Sequence, residues 1–316
     1  MLLKRKMLLL GLLATAFSVL FLFWDIGTAF GYVFPRRLVK VAAIILTGSC
    51  IAFSTVIFQT ITNNRILTPS LIGLDSLYML IQTAIVFVFG GRQLAMMENR
   101  FHFVLSVGLM VLFALLLFRL VFRMEQRNIY FLLLIGIICG TFFSSISSFM
   151  QMLIDPNEFS IVQDSMFASF NNVNDDLLGI SAIIMILTGV YAFPMLKYLN
   201  VMALGQDQAV NLGIPYNKIV RRWLIIIAVL VSVSTALVGP ITFLGLLVAN
   251  VAHQLFQTYR HSYLIIGAVL ISIITLAGGQ FIVEHLFTFS IPISVIVNFV
   301  GGVYFLYLLL KENRSW

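Results

Sequence analysis

The side chains able to hold a metal or move a proton are few and scattered in this sequence. The four histidines, His102, His253, His261 and His285, never pair at i, i+4 beside an acid, so their spacing offers no metal site. Cys50 and Cys139 stand in the middle of apolar runs, where a thiol acts as a small packing residue. No G-x-x-x-x-G-K-[ST] stretch is present to bind ATP, and neither G-x-S-x-G nor H-E-x-x-H occurs to suggest hydrolysis. Polar chemistry is concentrated elsewhere. Thr141, Ser144, Ser148 and Gln151, with Ser147 adjoining, fall within about 80° of arc on a helix turning 100° per residue. Such a strip either lines a polar pathway or lets helices approach closely and hydrogen-bond to one another. Asp75 lies about one turn inside an apolar segment. There a carboxylate reaching interfacial water or a basic partner stands against a role in transport.

The elements that must position these groups follow from composition. Of the 316 residues, 61% are apolar and only 10% charged, against about a quarter charged in a soluble domain, and the mean hydropathy is +1.06. A soluble enzyme, a disordered regulator and a nucleic-acid-binding domain are all excluded, because such a chain in water would expose too much apolar surface. The net charge of +7 does not rescue a nucleic-acid reading, since the basic residues sit between apolar blocks as they do at a membrane surface. The chain reads as a single all-α integral membrane domain over 1–316.

A bilayer core needs roughly 20 apolar residues per helix. That criterion yields ten spans: Met7–Trp24, Leu38–Phe58, Leu71–Gly90, Phe101–Phe118, Asn128–Met152, Leu177–Leu196, Trp223–Val238, Ile241–Phe256, Ser262–Val283 and Ile291–Leu310. The first could be a cleaved signal peptide, with Lys4, Arg5 and Lys6 ahead of it and Ala14-Thr15-Ala16 inside. Its uncharged run continues to Trp24, however, which favours an uncleaved helix. With both termini in the cytoplasm, fourteen of the 19 Lys and Arg residues fall inside and five (Arg36, Arg37, Lys40, Arg92 and Arg100) outside. The longest outer loop, 153–176, carries five acids and no Lys or Arg. Thr68 or Ser70 is a fresh N-cap candidate for the third span, and Gly239-Pro240 makes a short turn between the seventh and eighth.

The long inner loop, 199–217, is the most informative. Gly205 and Gly213 bracket a short amphipathic helix whose apolar positions include Ala203, Leu204, Ala209, Val210 and Leu212. A helix lying on lipid wants Lys or Arg on its polar face; Gln206, Asp207 and Gln208 stand there instead, favouring a protein partner. A translocator without a nucleotide site, and without a membrane-buried row of carboxylates or histidines, needs an ATPase as that partner.

Here the sequence resembles the permease subunits of ABC importers for iron-siderophore complexes, haem and cobalamin, the FecCD-type family. The segment Leu204-Gly205-Gln206-Asp207-Gln208-Ala209-Val210-Asn211-Leu212-Gly213-Ile214 is similar to that family's L-G-[acidic or polar]₂-x-A-x-x-L-G-[VI] loop. About thirty residues on, Gly239-Pro240-Ile241-Thr242-Phe243-Leu244-Gly245-Leu246 resembles its G-P-I-x-F-[LV]-G-L segment. Pro35-Arg36 resembles an L-P-R sequence at the start of the second helix, and Gln59 with Asn64 to Pro69 is similar to a Q-x-x-x-x-N-P-L-A-x-P stretch. Two positions depart. Ala249-Asn250 stands where the family usually has Pro-His, and Arg65 follows Asn64 where it has proline. These departures suggest a catecholate-siderophore branch.

The resemblance implies the ten-helix type II ABC importer permease fold. It implies a second permease, expected to be a paralogue, two ATPase subunits that use ATP-Mg, and an extracytoplasmic siderophore-binding protein, all at the bacterial cytoplasmic membrane. This chain itself would bind no cofactor and catalyse nothing. Ala203, Leu204, Gly205, Gln206, Asp207, Ala209, Leu212 and Gly213 would couple to the ATPase. Arg36, Arg37 and Lys40 would receive acidic residues of the binding protein, if they do not simply snorkel to the interface. Thr141, Ser144, Ser148 and Gln151 are the candidates for the pathway. Haem or cobalamin as cargo, an ion-gradient-driven transporter and a non-transporting scaffold are the alternatives.

Overall fold

The computed structural model describes residues 2–25, 30–90, 99–123, 129–171, 173–288 and 291–312, and among them it is helical throughout, without strands. In chain order the α-helices are α1 (Leu2–Phe23), α2 (Phe30–Thr62), α3 (Leu74–Phe89), α4 (Asn99–Arg123), α5 (Ile129–Leu153), α6 (Pro156–Met166) and α7 (Asp175–Ala192). They continue with α8 (Leu196–Met202), α9 (Gln206–Asn211), α10 (Tyr216–Val238), α11 (Leu244–Phe256), α12 (His261–His285) and α13 (Ile293–Glu312). Seven helical runs are long and apolar enough to cross a bilayer, with α7 and α8 forming one of them; α3, α11 and part of α13 are shorter apolar helices. Each of the ten apolar segments read from the sequence coincides with one of these. Arg92, Arg127, Asn128 and Arg314 lie outside the described residues.

α2 and α10 are the mostly buried helices of the bundle, whereas α1 and α7 leave most of their apolar surface outside it. α2 packs on α12, α10 and α11. Close approach to α12 is possible because Gly48 faces Ser272, with room for no side chain: a Cβ there would lie 2.8 Å from Ser272 Oγ. Fully buried Trp223, Phe58 and Phe256 fill the volume around these helices.

Three edges differ from expectation. α2 begins at Phe30 and carries Pro35 in its sixth position, which forfeits one helical hydrogen bond. The third span begins later than its apolar run. Pro69–Ile72 forms a 3₁₀ turn, and Gly73 (φ +88°) caps α3; Thr68 and Ser70 do not. The cause is tertiary, because Gly73 passes against Gly136 and Gly140 of α5. Finally, the acidic outer loop contains α6, which opens on Pro156 and lays Phe159, Val162 and Met166 near Val86 and Ile154. Its acids and short apolar run masked that helix in the sequence.

Specific contacts sort the helix termini into two ends. At one end, Lys6 donates to the Leu255 carbonyl (2.7 Å), Tyr216 Oη to that of Ile61 (3.1 Å), and His261 bridges α2 and α8. This end carries α9, the start of α1 and basic residues including Lys197 and Lys218. At the other, Arg37 donates to the Trp24 carbonyl, Lys40 pairs with Glu284 (2.6 Å), and Arg100 with Asp176 (2.8 Å). The Lys40–Glu284 pair is mostly buried, at 16% and 6% side-chain exposure. Replacing Lys40 by Met leaves the Glu284 carboxylate with the Gln280 amide at 3.0 Å. That substitution should cost about 3–5 kcal/mol, read as a lower thermal unfolding midpoint of the purified protein.

Candidate functional site

The segment between α8 and α10 is built by two glycines and one buried alanine. Gly205 (φ +99°) lets the chain turn sharply after α8, and Gly213 (φ +81°) ends α9. Gly213 N donates to Val210 O (2.9 Å) and Ile214 N to Ala209 O (3.0 Å), the paired bonds of a Schellman stop. Ala209 is fully buried and anchors α9 to the body. The rest of the 203–213 segment stands out: Ala203, Gln206, Asp207 and Gly213 are exposed, and Leu204, Val210 and Leu212 show 54%, 51% and 63% of their surface. Three exposed aliphatic side chains, Val210 on α9 and Leu204 and Leu212 flanking it, form an exposed apolar patch beyond the long apolar runs.

Behind α9 lies a junction that no sequence motif announced. His261 opens α12; its Nδ1 donates to Asn200 Oδ1 (2.8 Å), an atom that also accepts from the His261 backbone N–H (3.1 Å). Asn200 Oδ1 can only accept, so Nδ1 carries the proton and Nε2 faces Thr60 Oγ1 at 2.8 Å. The imidazole therefore ties α2, α8 and α12 directly upstream of α9. A histidine at the first position of a helix, next to an apolar run, was the only sequence signal for it.

The two departures from the family pattern meet in space. Asn250 Nδ2 donates to the Arg65 carbonyl (2.9 Å), and the Gln59 side chain donates to the same oxygen. Asn64 Oδ1 accepts from the Ile66 amide (2.9 Å), closing the turn after α2. The asparagine thus supports the very backbone segment at which proline is missing.

At the opposite end, Arg36, Arg37 and Lys40 border one cavity of about 910 Å³, which is also lined by Asn171, Asp175 and Glu284. Their situations differ. Lys40 is paired with Glu284, and Arg37 lies over the Phe21 ring (5.8 Å) while binding the end of α1. Arg36 is exposed, with its guanidinium over Tyr32 at 4.2 Å. Arg36 is therefore the exposed cation of the three.

The α5 strip divides. Gln151 donates to Thr83 Oγ1 (3.2 Å) and Ser147 Oγ (2.9 Å), and Thr83 meets Ser147 at 2.8 Å, so this part holds α3 against α5. Ser144 reaches Ser76 at 3.2 Å from an exposed position, while Thr141 and Ser148 also face outward. Thr141 returns its hydroxyl to the Ile137 carbonyl, as helical threonines do in apolar surroundings. The strip's upper end packs; its remainder is an outward-facing polar seam.

Comparison with known proteins places this arrangement. The FecCD transport family profile matches residues 7–311. The chain is 63% identical over 313 residues to the petrobactin import system permease protein YclO of Bacillus subtilis, covering 99% of both chains. It is 39% identical over 281 residues to the petrobactin import system permease protein FatC of Bacillus anthracis, covering 89% of this chain and 79% of that one. A solved structure described as an inward-facing conformation of a metal-chelate type ABC transporter superposes with TM-score 0.83, at 23% identity, over 98% of this chain and 99% of that chain. With the match spanning nearly its whole length and the fold agreeing, the chain is a multi-pass membrane protein of the FecCD transport family.

Proposed function

We propose that this chain is the membrane-spanning permease of an ABC importer that carries a petrobactin-type iron-siderophore across the bacterial cytoplasmic membrane. The single observation that carries the reading is α9, a glycine-bracketed helix exposing Val210, with Leu204 and Leu212 exposed on either side of it. Its cargo is inferred from the petrobactin import systems to which the two relatives belong. In this reading the helices cross the membrane ten times with both termini inside. A second permease of the family, a paralogue, completes the pathway against the polar seam of Thr141, Ser144 and Ser148. Two ATPase subunits seat the α9 helices, and an outer binding protein places an acidic side chain on Arg36. ATP-Mg binding closes the ATPase pair and displaces α9. The displacement passes through Asn200, His261 and Thr60 into α12 and α2, rocking the permease halves.

Deletion of the gene should abolish uptake of iron-55 petrobactin under iron limitation, and re-expression should restore it. Uptake that survives loss of the ATPase but dies with a protonophore would replace this reading by a gradient-driven transporter. The outer contact has its own test. Arg36→Glu should slow binding-protein association tenfold or more at low salt, with the effect shrinking as salt rises, measured by surface plasmon resonance.

A further inference from the structure

The two irregular segments of the bundle, Pro69–Gly73 and Gly239–Phe243, converge on one carboxylate. Asp75 stands in the first turn of α3, inside the bundle, and the hydroxyls of Ser70, Thr235 and Thr242 all face it. Thr235 Oγ1 donates to Oδ1 at 3.5 Å, a long contact. Oδ2 is sealed from solvent and has no hydrogen-bond partner. Beside the carboxylate is a cavity of about 20 Å³ of water-sized space, which Thr55, Ser70, Ser234, Thr235 and Thr242 also line. That is room for one water-sized particle and no more.

These features require a compensating group. Asp75 is part-buried as a residue, but its desolvated Oδ2 is costly unless compensated, and among the described residues no Lys, Arg or His borders the cavity. Ile51, Pro69, Val231, Ile241 and Gly245 form its apolar walls, and the polar side chains that border it are hard oxygens, one anionic and the rest hydroxyl, which suit small s-block cations and not thiophilic metals. A single positive charge balances a single carboxylate. Broken helices at bilayer depth are tolerated where they line such a site, and in transporters ions are bound at helix interruptions of this kind.

We propose that Asp75, with Ser70, Thr235 and Thr242, binds one dehydrated alkali-metal cation, which pins the 69–73 turn to the 239–243 turn. The site joins α3 to α2, α10 and α11. Its occupancy therefore stabilises the bundle whatever cargo the permease carries, and it supplies no driving force of its own.

The test uses the full-length purified protein in detergent at constant ionic strength. Thermal unfolding is followed in choline chloride, sodium chloride and potassium chloride, and binding of sodium-22 is measured directly. Sodium or potassium should raise the midpoint saturably by roughly 3–8 °C over choline, and the preference between them gives the identity of the ion. Asp75→Asn should abolish the increment. Thr242→Val, which keeps shape and charge, should weaken half-saturation at least threefold, so the site remains testable if Asp75→Asn fails to fold. Equal midpoints in all three salts, without sodium-22 binding, overturn the proposal. If those equal midpoints shift with pH, Asp75 carries a proton; if they do not, it holds a water.

Discussion

Replacing Leu204 and Leu212 together by aspartate should abolish ATP-driven uptake while the protein still inserts and purifies as a folded species. Both side chains are more than half exposed, so neither contributes much to the bundle's own packing. Seated in a partner groove, each becomes a buried anchor worth about 2 kcal/mol, and an aspartate there is also desolvated without a counter-charge. The pair should cost about 4 kcal/mol or more, a loss of roughly a thousandfold in affinity for the ATPase. Co-purification with the ATPase and stimulated ATP turnover in nanodiscs measure it. Undiminished turnover in the double variant would remove α9 from the coupling role. Gly205→Val, together with Asp207→Lys, acts on the same lever differently. A β-branched residue at φ +99° is strained by about 1–2 kcal/mol, and a lysine in the first turn of α9 opposes the helix dipole. That variant should retain the ATPase weakly yet transport at a small fraction of the wild-type rate.

The largest effect on stability is expected at Gly73. Its backbone has φ +88°, and a Cβ there would stand 2.9 Å from the Gly136 carbonyl oxygen and 3.1 Å from Gly140 Cα. The obstacles are backbone atoms of α5, which cannot rotate aside as a side-chain tip does. Gly136 is reciprocal, since a Cβ on it would meet Ile72 Cα at 2.8 Å. Gly73→Val therefore combines left-handed strain with forced separation of α3 from α5, and should cost upwards of about 4 kcal/mol. Expected is little or no folded protein, seen as loss of a monodisperse size-exclusion peak. By contrast, Gly108→Ala, where the space is open, should leave expression and midpoint unchanged. Equal behaviour of the two variants would mean that the α3–α5 crossing is not close-packed.

What could be read in advance divides along physical lines. Helix positions were legible because a long uncharged apolar run has one stable form in lipid, and all ten runs became helices. The short α9 helix was legible because its signals are local: two glycines at the turns and one alanine facing in. Contacts between distant segments were not. Lys40 looks like an available outer cation until Glu284, 244 positions away, is found against it. Asn250 and Arg65 look like independent departures until one is seen hydrogen-bonded to the other's carbonyl. Asp75 suggested interfacial water or a basic partner; its neighbours are hydroxyls from three separate stretches of chain.

Sequence alone determined that this chain lives in a bilayer and that it is helical. Those properties follow from composition and from spacings within a few turns, which each segment expresses by itself. Tertiary structure decided where α3 begins, which half of the α5 strip packs and which is presented, and which outer arginine is exposed. It also assembled the Asn200–His261–Thr60 tie. Each of these depends on what lies across a helix–helix contact, and close packing of rigid helices makes that a property of the whole bundle.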